Sequence, residues 1–493
     1  MQECYDIINA PPTLHSPEER RQAQNRFHDA LMQREMLIKS STSRNQDFYS
    51  YRYLAGQGFM PGYNFPRLPL IAWLPGKEDG MRNMHALSRP RFLALSEFGP
   101  RSLIYHCGGI YQVKRIKLRA QSGQTGTQLP TETMQICPSC GHAHLVTHNN
   151  AESNDASGSK LDICNNCGTH LEASSSISNL YLVETVETEL KEHISINDEE
   201  RQRQGYELQT CYCFDQRQPV KSKLMLGDAV LAMLTYAPSA RIWRINKGWS
   251  RRSDRNTLGF VINPSNGKWS KEETLEAEAA GAEENNNATK KDKIPTQRII
   301  PYVRDIRNIL IFTPPTDFPQ EQMPTLQAAI QTGIVRAFQI ESSEIIVEPL
   351  PNKDNRQHIL IYEAAEGGAG ILRHLAEHIT FMQGVAAEAL AAMHYELRDA
   401  VLYDTEQDKP EDARCGKGCY RCLLSYYNQT EHALIDRSAD ETCTLLQDMS
   451  NNQCRLETLA SASSVTNHPW LKELERRGIP APEESNKSIA GIK

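Results

Sequence analysis

The sequence predicts a multidomain α+β protein in which a β-rich region is followed by a small α/β domain. A chain of 493 residues is long enough for two to four domains. Up to residue 260, most apolar residues fall in short runs of strand length that are separated by turn residues. After residue 298, such runs alternate with segments whose apolar residues recur every four positions, which is typical of an α/β unit.

The first 120 residues predict one helix, one irregular segment and a hairpin. Residues 13–40 favour a helix, because a capping serine and a proline stand at its start. Residues 51–76 are too rich in proline for a regular helix, so we expect an ordered loop with an edge strand. Residues 91–119 predict β structure with a hairpin and a bulge near Lys114 and Arg115.

The middle of the chain predicts further strands over residues 178–260, with one short helix at Asp228–Tyr236. Residues 264–297 have low complexity and no apolar periodicity, so we expect a disordered loop there. The last third predicts three short strands and three helices. The strands are Asn308–Thr313, Glu344–Glu348 and His358–Tyr362, and the helices cover Leu326 to Phe338, a segment from about Ile371, and Val385 to Leu402.

Four cysteines in two pairs, with two residues between the members of each pair, predict a zinc ribbon. They are Cys137, Cys140, Cys164 and Cys167, and a glycine directly follows each pair. Each such turn presents two sulfurs, and two turns close one tetrahedral site of four cysteines. A closed site is structural, because no coordination position stays open for water. Four unrelated free thiols are the alternative.

A second cluster brings Cys415, Cys419 and Cys422 together within eight residues. Zinc at this cluster needs a fourth ligand. His432, ten residues beyond the last cysteine, is the first candidate, and the rivals are Asp412, Cys443 and Cys454. The two clusters together predict two Zn²⁺ ions per chain.

These motifs divide the chain into five predicted regions. An N-terminal helical segment covers 1–50, and a β-rich region with the zinc ribbon inserted at about 131–174 covers 51–260. A disordered linker covers 261–297, an α/β domain that ends in a helical cysteine-rich zinc module covers 298–450, and a flexible tail covers 451–493.

The net charge of −7 does not indicate a nucleic-acid-binding protein, but two basic segments do, the first from Arg89 to Arg119 and the second from Arg241 to Arg255. The second segment interleaves cations with two tryptophans, which suits phosphate contacts combined with stacking on single-stranded bases. A solvated strand whose tryptophans pack inward is the alternative. The predicted contact residues are Lys114, Arg115, Lys117, Arg119, Arg241, Trp243, Arg244, Lys247, Trp249, Arg251 and Arg252.

The sequence shows no pattern typical of a membrane protein or of a known class of enzyme. No apolar run is long enough to span a membrane, and the N-terminus lacks the pattern of a signal peptide. Thirteen cysteines without an export signal favour metal ligands and free thiols, so we expect a cytoplasmic protein. No metalloprotease, serine-hydrolase or P-loop motif is present. The glycine-rich run Gly367–Gly370 could present amides to a phosphate or simply form a tight turn.

Several segments resemble a known family. Phe59–Leu70, Ser88–His106 and Gly205–Thr210 resemble the C-terminal half of large bacterial superfamily-2 helicases. Tyr362–Leu372 and Cys415–Arg437 resemble the MrfA-like zinc-binding domain that ends those helicases. The same domain occurs in helicase-associated subunits of antiphage defence systems such as DISARM and Druantia.

The resemblance implies that Cys415, Cys419 and Cys422 bind zinc, often with a fourth cysteine in the family, and that the domain helps a motor to engage DNA. Because no ATP-binding motif is present, we expect a non-catalytic accessory region of a DNA helicase that acts in repair, translocation or phage defence. Its expected partners are DNA and a helicase motor, either a separate subunit or the missing N-terminal part of a truncated gene. The alternatives are an adaptor that binds a helicase subunit without touching DNA and, more weakly, an undetected hydrolase.

Overall fold

The protein is described here by a computed structural model that covers most of residues 69–459. The described residues are 69–78, 81–118, 129–146, 161–193, 205–214, 219–270, 296–364, 370–398 and 401–459, with single positions near the N-terminus. Several predictions lie outside them: most of the helix at 13–40, the irregular segment 51–68, Arg119, most of the low-complexity insert, and Gly367 and Gly368.

Between residues 69 and 459, the described chain contains eighteen strands and five α-helices. The strands are β1 (Leu70–Glu78), β2 (Met81–Arg89), β3 (Leu103–His106), β4 (Gly109–Ile116), β5 (Glu132–Ile136), β6 (Ala143–Val146), β7 (Ser176–Leu182), β8 (Thr185–His193), β9 (Tyr206–Cys213), β10 (Val220–Leu226), β11 (Ala229–Trp249), β12 (Phe260–Ile262), β13 (Gln297–Thr313), β14 (Ile345–Pro351), β15 (Arg356–Glu363), β16 (Tyr395–Arg398), β17 (Val401–Asp404) and β18 (Cys454–Leu459). The helices are α1 (Arg91–Glu97), α2 (Met323–Phe338), α3 (Ile371–Glu377), α4 (Ile379–Ala392) and α5 (Asp440–Met449).

A five-stranded sheet with the order β2-β1-β8-β4-β3 contains the predicted hairpin. Cys107 and Gly108 form its two-residue turn, and both have positive φ, which matches the twist of the two strands. The pairing of β4 with β8 shifts between Val113 and Arg115, so the predicted bulge is present. Helix α1, which buries Phe92 and Leu95, precedes the hairpin where we expected only β structure.

The second sheet has eleven strands, and the long strands β11 and β13 pair at its centre. The predicted helix Asp228–Tyr236 is wrong, because most of this segment begins β11. Its residues pair with β10 on one side and β13 on the other, and this pairing outweighs the helix preference of a run rich in alanine and leucine.

Two apolar cores lie on the faces of this sheet. The larger core packs α2, α3, α4 and α5 against residues of β10, β11, β13, β14 and β15. A second core joins β11 and β13 to the five-stranded sheet and α1. The two long strands therefore connect the β-rich part of the chain to the α/β part. This mixture of sheets and helices confirms the predicted α+β class.

Helix α4 ends ten residues before the predicted end at Leu402. His394 follows it with a positive φ of 68°, and the chain then turns into the hairpin β16-β17. This early end matters for the second cysteine cluster, because it determines where the His394 side chain lies. Within the described part of the chain, no helix combines the length and the apolar character needed to cross a membrane.

Candidate metal centres and nucleic-acid interface

The first cysteine cluster has the dimensions of a tetrahedral zinc site. The sulfurs of Cys137, Cys140, Cys164 and Cys167 all lie within 4.8 Å of one another. The Sγ–Sγ distance is 3.5 Å between Cys137 and Cys167 and 3.7 Å between Cys140 and Cys164. Zn–S bonds of about 2.3 Å give tetrahedral edges of about 3.8 Å. The four sulfurs therefore need only small shifts to hold one Zn²⁺ ion.

Two equivalent turns place these sulfurs. The N–H of Gly141 donates to the carbonyl of Cys137 at 3.0 Å, and the N–H of Gly168 donates to the carbonyl of Cys164 at 2.9 Å. Both glycines have positive φ, 73° and 76°. A Cβ at position 141 would lie 2.8 Å from the side chain of Leu350, so that turn also requires glycine for space.

The thiols of this cluster influence one another's ionisation. Hydrogen bonds from Cys140 and Cys164 lower the pKa of Cys137 well below its usual range. Hydrogen bonding to Cys137 raises the pKa of Cys164 to about 11. The geometry thus favours one thiolate among protonated neighbours, and a bound zinc ion would displace the remaining protons.

The second cluster contains three cysteines and one histidine. Cys415, Cys419, Cys422 and His394 place their donor atoms within 4.8 Å of one another. Nε2 of His394 lies 3.4 Å from Sγ of Cys419, close to the edge of about 3.5 Å that Zn–N and Zn–S bond lengths give. The Sγ atoms of Cys415 and Cys422 are 3.9 Å apart. The two clusters together fit two zinc ions, as predicted.

A buried carboxylate orients the histidine of this cluster. Nδ1 of His394 lies 3.4 Å from Glu406, whose side chain is 2% exposed. Glu406 also accepts a hydrogen bond of 2.8 Å from the N–H of Cys415. A hydrogen bond from Lys409 lowers the pKa of Glu406 to about 2, so this carboxylate is ionised at neutral pH. A carboxylate behind a ligating imidazole fixes the ring and strengthens its donor nitrogen.

His394 takes the position that we predicted for His432. His432 lies in a 3₁₀ segment, where its Nε2 donates to the carbonyl of Ser425 and to Oδ1 of Asn428, at 3.0 and 2.9 Å. Its ring also packs edge-on against Tyr420. We did not predict His394 as a ligand because it lies inside the helix that we expected to continue to Leu402. The one sequence signal for it is the end of the alanine-rich run just before this residue.

The rival ligands named above also lie outside the cluster. The thiol of Cys443 donates to the carbonyl of Arg437 at 3.4 Å, and the thiol of Cys454 donates to that of Asp448 at 2.9 Å. Asp412 belongs to a short 3₁₀ turn before the cluster.

Arg437 holds the second zinc loop against the α/β core. Its guanidinium forms two hydrogen bonds with the carboxylate of Asp404, at 3.0 and 2.8 Å. Its Nε donates to the carbonyls of Cys415 and Gly416. This buried side chain, 6% exposed, therefore connects the loop that carries the cysteines to the end of β17.

Two cations of the first predicted basic segment are paired with acids of β8. Lys114 forms an ion pair with Glu189, and Arg115 forms one with Glu187. Lys117 is half-buried, and its backbone N–H donates to Thr185. The cations of this segment therefore offer less positive potential than their number indicates.

In the second basic segment, the two tryptophans face the protein. Trp243 is 1% exposed in a core beneath the zinc ribbon, and Trp249 stacks on Tyr206 at 4.9 Å between ring centroids. The ring of Trp243 therefore cannot stack on a base in this conformation. This agrees with the alternative given above, a strand whose tryptophans pack inward.

Three cations of that segment have carboxylate partners from other strands, and three lie at the surface. Arg244 pairs with Glu348 at 3.4 Å. Lys247 and Arg252 share Glu207, at 3.5 and 2.7 Å. The exposed cations are Arg241, Arg251 and Arg255.

The second cluster lies at the end of a segment that is similar to a known domain. Residues 326–423 match the MrfA Zn-binding domain. This match includes His394 and the three cysteines of the cluster, and it confirms the predicted resemblance for this part of the chain.

Similarity to solved structures is weak. Among solved structures, the chain is similar to that of the DUF1998 helicase MrfA bound to DNA, with 8% identity and a TM-score of 0.32. The similarity covers 78% of this chain and 34% of that chain, so this chain spans about a third of its length. A likeness this low defines neither the fold nor the function. No curated protein matches the chain.

Proposed function

We propose that this chain is a zinc-stabilised accessory part of a DNA helicase, and that it binds DNA without hydrolysing ATP. The observation that carries the proposal is the coincidence of the MrfA Zn-binding match with a complete donor set of one histidine and three cysteines at its end. DNA repair, translocation and phage defence in the cytoplasm are the settings that the resemblance suggests.

A basic strip on the large sheet is our proposed DNA contact. Arg241 is exposed on β11, and Arg304 is exposed on β13. In the register of the sheet, Arg304 lies directly opposite Trp243, and Trp243 is two residues from Arg241 along β11. Both arginines therefore project from the same face of the sheet. We call Arg241 and Arg304 the basic strip. Two arginines held on neighbouring strands can contact successive phosphates of one DNA backbone.

Charge reversal in the basic strip tests this contact. We expect Arg241→Glu and Arg304→Glu to weaken binding to labelled DNA and to reduce the salt slope by about one phosphate contact each. Arg455→Glu is the matched control, because it makes the same charge change at an exposed position of β18. Equal binding by all four proteins, the unmodified chain included, would exclude the strip as the contact.

The absence of ATP hydrolysis is tested separately. We expect the purified, zinc-loaded chain to show no ATPase activity with or without DNA. Stimulated hydrolysis that survives further purification would contradict this part of the proposal.

A second candidate function is an adaptor that binds the motor of a helicase. It is favoured by three exposed tyrosines on the second zinc module, Tyr420, Tyr426 and Tyr427, which are 68%, 56% and 78% exposed. Exposed aromatic residues are enriched at protein interfaces. Co-elution with a motor subunit combined with no DNA binding at low salt would favour the adaptor.

A further inference from the structure

A third group of potential metal ligands lies beside the four-cysteine site of the zinc ribbon. His142, His144 and Cys164 are all buried, and their donor atoms lie within 4.8 Å of one another. Cys164 belongs to both groups, and the two histidines are not part of the set of four sulfurs. The histidines alternate along the segment that enters and forms β6, which places both rings on one side of it.

His142 has a buried ring whose nitrogens lack hydrogen-bond partners in the described part of the chain, which favours a bound metal ion. Its side chain is 3% exposed, and among the described residues neither of its ring nitrogens has a hydrogen-bond partner. Buried polar atoms without a partner are rare and costly. The ring packs edge-on against Tyr212 and Phe214, and neither residue forms a hydrogen bond with the ring nitrogens. A metal ion would give one of the two nitrogens a strong bond.

His144 lies at the distance from Cys164 that is expected between two ligands of one zinc ion. Its Nε2 lies 3.4 Å from Sγ of Cys164. The same distance, 3.4 Å, separates His394 from Cys419 in the second zinc cluster. Both values are close to the edge of about 3.5 Å expected between nitrogen and sulfur ligands of one tetrahedral zinc ion.

We propose that His142, His144 and the thiolate of Cys164 bind a further zinc ion, with Cys164 bridging this ion to the one held by the four cysteines. Two imidazoles and a thiolate are a donor set that suits zinc. The ion would join β6 to the turn of Cys164. Through His142 it would also fix the ribbon against Tyr212 of β9, whose N–H approaches the carbonyl of Gly141.

Zinc counting on the full-length chain tests the inference. After loading with Zn²⁺ and dialysis, we expect three zinc ions per chain by elemental mass spectrometry, and two in H142Q/H144Q. His170→Gln is the matched control, because His170 is exposed in the same ribbon and lies outside the ligand group; it should retain three. Titration with Co²⁺ should likewise saturate at three ions in the unmodified chain and at two in the double variant.

Three outcomes would overturn the inference. Two zinc ions in both the unmodified chain and the double variant would mean that His144 only donates a hydrogen bond to Cys164. Three ions in the double variant would place the third ion elsewhere. If the double variant binds only one zinc ion because the ribbon no longer folds, the single variant His144→Gln tests the inference instead. This variant leaves the packed ring of His142 in place. We expect two ions in His144→Gln, and a count of three in that variant would contradict the inference.

Discussion

Replacing His394 by alanine tests the ligand set of the second zinc cluster most sharply. His394 is the only nitrogen donor among the four, and Glu406 fixes its ring. Loss of a residue that only supports a metal ligand typically weakens metal binding by about 10–100-fold. Removal of the ligand itself should weaken zinc binding by at least the upper end of this range, which is about 100-fold, or about 2.7 kcal/mol.

His432→Ala is the matched control. This substitution removes a histidine of the same module whose Nε2 bonds to Ser425 and Asn428 rather than to a metal ligand. We expect a loss of stability of about 1 kcal/mol from those hydrogen bonds, with little change in zinc affinity. The two variants therefore separate ligand loss from local destabilisation.

Competition between the protein and a chromophoric zinc chelator provides the assay. Denaturant unfolding of the zinc-loaded proteins provides the parallel measure of stability. The ligand assignment is refuted if His394→Ala keeps the zinc affinity of the unmodified chain, or if His432→Ala weakens zinc binding as strongly as His394→Ala does.

Further predictions follow from the contacts around the two clusters. Glu406→Gln should weaken zinc binding at the second cluster by about 10–100-fold in the chelator assay, because it removes the carboxylate behind the ligating imidazole; unchanged affinity would contradict that role. Arg437→Ala should lower the free energy of unfolding by about 3 kcal/mol, because it leaves Asp404 without its guanidinium partner, and a loss below 1 kcal/mol in denaturant titration would argue against this role of Arg437. Gly141→Ala should destabilise the ribbon by more than Gly168→Ala, because only position 141 lacks space for a Cβ, and equal unfolding midpoints would contradict this packing argument. Removal of zinc with a chelator should reduce circular dichroism and expose thiols to a thiol reagent, because short segments of this kind need the metal to stay folded; unchanged spectra would contradict it.

Local patterns in the sequence were enough to predict the cysteine turns. A tight turn follows from two local features, the spacing of two residues between the paired cysteines and the glycine after each pair. Neither feature depends on contacts with distant parts of the chain. The bulge near Arg115 was also visible, because the alternation of apolar residues changes phase there.

Contacts between distant segments explain what the sequence did not reveal. The candidate ligand His394 meets the cysteines only because α4 ends early and the following hairpin turns the chain back. The helix predicted at Asp228–Tyr236 failed because pairing with β10 and β13 decided its conformation.

The basic segments illustrate the same limit for charge. Arg244 and Arg252 looked available for phosphate, but their partners Glu348 and Glu207 come from other strands of the sheet. Counting cations along a segment therefore overestimates the positive surface when a sheet brings carboxylates alongside. The exposed arginine Arg304 was missed because it belongs to neither basic segment.

Binding of the zinc-loaded and the metal-stripped chain to labelled DNA at two salt concentrations tests the central claim most directly. We predict that the zinc-loaded chain binds and loses affinity steeply as salt rises, and that the metal-stripped chain binds weakly or not at all. Failure of the zinc-loaded, folded chain to bind DNA at low salt would contradict the claim.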